Sequence, residues 1–251
     1  MIDAHCHIDL YQNPIMVANQ IEGKKIPTIA VTNLPSHFEL GYAHLKNYKH
    51  IRVALGVHPL YAKKHTSSEL KKFISLAQKT SYIGEVGLDF SRDAIFTKEK
   101  QINSFRYVLT HICDRPRFIS LHSRRAEHTV LKMLDEFSIK GAVFHWYSGS
   151  LSVLKEIVEA GHYFSVNPAM LLSSNGCKII EKIPRDRLLT ETDGPFIKIE
   201  GKIITSHDIS LVQKHLCSIW NCTYEEVERQ IKNNLNQVLL PIKNYKREID
   251  A

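Results

Sequence analysis

No stretch of this chain approaches the roughly 20 consecutive apolar residues of a membrane span. Its first residues, MIDAHCHIDL, lack the basic segment and apolar run of a secretory signal. A cytoplasmic protein with no membrane association is the expectation. Cysteine is equally scarce as a structural device: Cys6, Cys113, Cys177, Cys217 and Cys222 form an odd set with no C-x-x-C pair. That argues against a disulfide framework and against a structural zinc site, and predicts reduced thiols. There is also no Pro-, Gly- or Ser-rich linker and no low-complexity segment. One domain over residues 1–251 is therefore expected, and with 43% hydrophobic residues it can bury a sizeable core.

Acid is outnumbered by base, 26 Asp+Glu against 33 Lys+Arg, for a net charge of +7. Excess positive charge draws polyanions in a salt-dependent way, although pairs such as Lys63-Lys64 and Lys71-Lys72 are commonly solvated helix faces. The fourteen histidines are more informative, because several end apolar runs.

Eight such β-rich runs occur, at 2–8, 26–33, 51–57, 82–88, 117–122, 141–146, 162–167 and 187–193. Between them lie segments with helical spacing, among them 69–78, 98–113, 126–137, 152–160 and 177–183. Strand and helix alternating eight times is the pattern of a (β/α)8 barrel, for which roughly 250 residues is typical. Helices at 207–220 and 223–239 are expected as additions outside the barrel, followed by a loose polar tail, NYKREIDA. A doubly wound open sheet competes, but would carry a glycine-rich first βα turn that HIDLYQNP lacks.

In a parallel barrel the reactive side chains sit at the C-terminal strand ends, where the loops converge on one mouth. Strand one ends in His5 and His7, strand four carries Glu85, strand five ends in His122, strand six holds His145, and strand eight ends in Asp193. Side chains alternate along a strand, so His5 and His7 point into the barrel while Cys6 points to the helices. Any one of these histidines is readily a satisfied core residue; five strand ends carrying such groups together are not chance. Nitrogen and carboxylate donors without thiolate suit Zn, Mn or Mg. A glutamate such as Glu85 can bridge two ions roughly 3.5–4 Å apart, an arrangement suited to in-line displacement at phosphorus. Arg124, directly after His122 in LHSRR, is a phosphate-binding candidate; Arg125 reads as a surface residue. His58, closing strand three in GVHP, fits a substrate contact.

At these residues the sequence resembles the TatD family of metal-dependent deoxyribonucleases, within the amidohydrolase-like metal barrels. DAHCHIDL, ALGVHP, IGEVGLDF, LHSR, FHWYSGS and LLTETDGPF occur in family order between residues 3 and 196. The resemblance implies that His5, His7 and Asp193 bind one divalent ion and His122 and His145 a second, with Glu85 shared and Asp193 accepting a proton from the attacking water. It implies two ions (Mg, Mn or Zn) and DNA, preferably single-stranded, digested from a 3′ end. Two departures stand out. The family's HSRDA is HSRRA here, and its Arg-Asn-x-Pro segment after ETDGPF is missing from IKIEGKIITSHDIS. The opening and the missing loop further resemble the TatD-like component of the Qat bacterial antiphage system, which implies partner proteins of that system.

Two other readings stay open on the sequence. One is a barrel hydrolase of a small ester, amide or lactone; the other is a non-catalytic nucleic-acid-binding subunit of a defence complex.

Overall fold

The computed structural model describes residues 1–249. Eight strands, β1 (Asp3–Cys6), β2 (Thr28–Val31), β3 (Ile51–Val57), β4 (Tyr82–Gly87), β5 (Phe118–His122), β6 (Val143–His145), β7 (Tyr163–Val166) and β8 (Leu188–Thr190), lie side by side in sequence order. Each pairs with the next in parallel. The order of a (β/α)8 barrel is therefore observed, as the alternation predicts. Parallel strands covered on both faces read as continuous apolar runs; β1, β2, β6, β7 and β8 are buried along their whole length.

Seven helices connect the strands: α1 (Pro14–Gly23), α2 (Pro35–Leu45), α3 (Ser67–Ala77), α4 (Lys98–Thr110), α5 (Glu127–Glu136), α6 (Leu151–Glu159) and α7 (Ser174–Lys182). Their starts are written in the sequence. Asn13, Thr66, Ser150 and Ser173 each accept the backbone N–H three residues on, and Pro14 and Pro35 occupy first-turn positions that need no donor. The segment expected at 207–220 is the barrel's own eighth helix, α8 (Ile209–Trp220), so only α9 (Tyr224–Ile249) is additional. That corrects the expectation of two extra helices. The expected loose tail is also corrected: 244–249 continue α9, whose buried stripe runs through Val238 to Ile242 past an exposed Pro241. Residues 250 and 251 of that tail lie outside the described residues. Asn234 ties α9 to the barrel, donating 2.7 Å bonds to the carbonyls of Arg185 and Leu188 at the entry to β8.

The seam between β8 and β1 determines where the first and last ligand candidates sit. Asp193 N–H donates to the His5 carbonyl at 2.9 Å and His7 N–H to the Gly194 carbonyl at 2.8 Å. Beneath them the buried Asp3 carboxylate accepts from the Thr192 N–H (3.0 Å), the Thr192 hydroxyl (2.7 Å) and the Ser206 hydroxyl (2.7 Å). Burial pushes Asp3 up to about 6 despite those bonds. Gly87 serves the neighbouring strands: at φ +135, a Cβ there would stand 2.0 Å from the His122 carbonyl oxygen. Its absence lets β4 lie close beside the end of β5. Among the described residues no helix is long and apolar enough to cross a membrane.

Candidate metal centre

All six predicted ligand residues converge on the mouth, with Glu85 at the middle. Its two oxygens face different partners. Oε1 lies 2.6 Å from His122 Nδ1 and 2.9 Å from His145 Nε2. Oε2 lies 3.1 Å from His7 Nε2 and 3.4 Å from His5 Nε2. Asp193 Oδ1 completes the second side, 3.5 Å from His5 Nε2 and 3.7 Å from His7 Nε2. His5, His7 and Asp193 present donor atoms within 4.8 Å of one another, the compactness a single cation requires.

The donors are aimed by what lies behind them. Ser120 Oγ sits 2.7 Å from His5 Nδ1 and holds the ring so that Nε2 faces the mouth. His122 is held likewise by Asp89, whose Oδ2 lies 2.7 Å from Nε2 and frees Nδ1. Glu191 stands 3.5 Å from His145 Nδ1. The sequence reading singled out neither Asp89 nor Glu191, although both lie in its motifs, GLDF and TETD.

His58 joins the cluster as a fifth imidazole, 3.1 Å from Glu85 Oε2 through Nε2. Its Nδ1 accepts the Leu60 N–H at 3.1 Å, so the proton belongs on Nε2. His58 therefore donates into the mouth, which suits a phosphate or carboxylate contact better than metal ligation. Cys6 takes no part: fully buried, its sulfur lies 3.9 Å from the Tyr11 hydroxyl and 3.8 Å from the Gly194 carbonyl.

Electrostatics follow from burial and crowding. Burial opposes ionisation of Glu85, yet the His58, His145 and His5 imidazoles hold its carboxyl well below the usual range. Burial also disfavours the His145 imidazolium, but Glu85 and Glu191 raise its pKa well above the ordinary histidine value. His5, buried beside His145, is pushed well below it. Burial raises Asp193 to about 7 against the pull of His145 and His7. Asp193 Oδ1 is buried without a hydrogen-bond partner, and the Nε2 atoms of His5 and His7 face each other at 3.3 Å. An orphaned carboxylate oxygen and two converging imidazole nitrogens fit a cation.

The mouth opens into a cavity of about 550 Å³ whose wall includes Tyr61, Arg124, Trp146 and Phe196. Arg124 thus borders the site, whereas Arg125 is exposed with its N–H turned to Glu127. The segment that lacks Arg-Asn-x-Pro is an ordered antiparallel hairpin, β9 (Lys198–Ile199) with β10 (Lys202–Ile203). Tyr11 anchors its far end by donating to the Ile204 carbonyl at 2.7 Å.

A family model described as TatD related DNase matches residues 2–240. A metal-dependent hydrolase of Buchnera aphidicola is 30% identical over 217 residues, 78% of this chain and 81% of that protein. A deoxyribonuclease of Homo sapiens is 26% identical over 246 residues, 90% of each. The crystal structure of a TatD homologue from Escherichia coli matches with a TM-score of 0.84 at 25% identity, over 95% of this chain and 97% of that one.

Proposed function

Because the chain belongs to the TatD-related DNase family of metal-dependent hydrolases, we propose that it hydrolyses DNA phosphodiester bonds with two divalent ions, Mg, Mn or Zn. In this reading His5, His7 and Asp193 hold one ion, His122 and His145 the other, and Glu85 both. The observation that carries it is the division of Glu85: Oε1 faces His122 and His145, and Oε2 faces His5 and His7. Ions bound there supply Lewis-acid activation of water and neutralise charge on the phosphate.

The chain's own groups do the rest. Asp193 takes the proton from the attacking water, the role the family resemblance implies for it. His58 Nε2–H and the Arg124 guanidinium hold the non-bridging phosphate oxygens. Trp146 and Phe196, 37% and 59% exposed, offer ring faces to unpaired bases, which favours a single strand. Removal of nucleotides from the 3′ end is the polarity the family resemblance implies. Work beside other proteins of the Qat antiphage system rests on the sequence likeness alone.

The test is digestion of single-stranded DNA, end-labelled and blocked at either terminus, with Mn or Mg. Wild type should shorten strands with a free 3′ end, and Glu85→Gln and His122→Ala should not. Equal digestion by those variants would remove the site assignment.

A further inference from the structure

The mouth is asymmetric in charge. The segments following β3, β4 and β5 on the mouth side, 58–66, 88–100 and 123–126, carry seven Lys or Arg and three acidic residues. One of the three, Asp89, is committed to His122. The segments across the mouth at 146–150 and 167–173 carry no charge at all and expose Trp146 and Leu172; Phe196 is exposed beside them, just before a hairpin that holds Lys198, Glu200 and Lys202.

On the basic side three ammonium groups are seated on aromatic rings. Lys63 Nζ lies 4.8 Å from the Phe96 centroid, Lys64 5.2 Å from Tyr61 and Lys98 4.9 Å from Phe90. None of the three forms an ion pair among the described residues; their positive charge faces solvent uncancelled. Phe96 is 67% exposed, and its ring seats Lys63. A ring beneath the ammonium restricts the lysine before any ligand arrives, which lowers the ordering cost of binding.

This surface is continuous with the site. Tyr61 lines the cavity beside His58, and the Phe90 N–H donates to the carbonyl of Arg124, itself a cavity residue, at 2.9 Å.

We propose that the nucleic-acid strand attached to the bond being cut leaves the mouth across the loops after β3 and β4, with Lys63, Lys64 and Lys98 holding its successive phosphates. The proposal rests on the DNase reading and adds where the rest of the substrate lies. A polyanion matches the unpaired cations, and a flexible single strand can follow both loops while its bases turn to the uncharged side.

Fluorescence anisotropy of a labelled single-stranded 20-mer, read against KCl with the full chain in EDTA, tests it. The flank variant is Lys63→Gln/Lys64→Gln/Lys98→Gln. The control, Lys46→Gln/Lys49→Gln/Lys79→Gln, removes the same charge from exposed lysines on the connections at the opposite end of the barrel. The flank variant should flatten the slope of log K against log salt by about 2, at ~0.7 per phosphate contact, and the control should keep the wild-type slope. A flank variant with the wild-type slope, or a control that loses as much, in protein that digests DNA, overturns the track and leaves the DNase reading standing. Wild type that neither binds nor digests the strand overturns both.

Discussion

Glu191 stands behind His145, its Oε1 3.5 Å from Nδ1 while Nε2 of the same ring faces Glu85 at 2.9 Å. The carboxylate is itself fixed, accepting from the Trp146 N–H at 3.0 Å, from Asn167 Nδ2 at 2.9 Å and from the Ser165 hydroxyl. Three strands therefore determine the orientation of one imidazole. Replacing Glu191 by Gln keeps the shape and removes the charge that supports the ring's basicity. The affinity of stripped protein for Mn or Zn, read by calorimetric titration, should fall about 10- to 100-fold at one ion while the fold persists. Unchanged affinity would show that His145 needs no such support.

Cys6→Ala should leave metal stoichiometry intact, since the thiol faces Tyr11 and Gly194 and not the mouth. Loss of a fully buried side-chain atom should cost about 1 kcal/mol, visible as a lower urea midpoint. A drop in bound metal would make Cys6 a ligand after all.

His162 provides a pH signature away from the mouth. It is 1% exposed, accepts the Ala142 N–H at 3.3 Å, and its pKa is lowered to about 4, first by burial and then by Lys140, with Asp135 opposing. The unfolded chain binds this proton near pH 6.5 and the folded chain only near 4. Between those values the unfolded state holds more protons, so stability declines as pH falls through the window and levels off below it. The contribution is about 3 kcal/mol. Urea melts from pH 7 to 4 should show a shallower decline in His162→Gln than in wild type; parallel declines would contradict the assignment.

The barrel was legible because buried parallel strands leave apolar runs, and the site because His5, His7, Glu85, His122, His145 and Asp193 stand at or near the ends of those runs. What escaped was what the period does not mark. The helices α1 and α2 carry weak apolar stripes, and their Asn13-Pro14 and Pro35 starts were the stronger signals. The final turns of α9 read as polar tail because its apolar stripe ends at Ile242 and only helical continuity carries the rest. Glu191 and Asp89 are ordinary acids in sequence; only the fold sets one behind His145 and the other behind His122. Lys63 and Lys64 were visible as a basic pair, but Lys98 and the rings under all three were not.

The central claim is that one carboxylate, Glu85, joins two halves of a metal site. Metal analysis of protein saturated with Mn or Zn and freed of excess ion tests it most directly, alongside DNA digestion of the same samples. Wild type should hold two ions per chain, and Glu85→Gln at most one, with digestion reduced by a factor of 100 or more, about 3 kcal/mol of transition-state stabilisation. Two retained ions and undiminished digestion in Glu85→Gln would contradict the account.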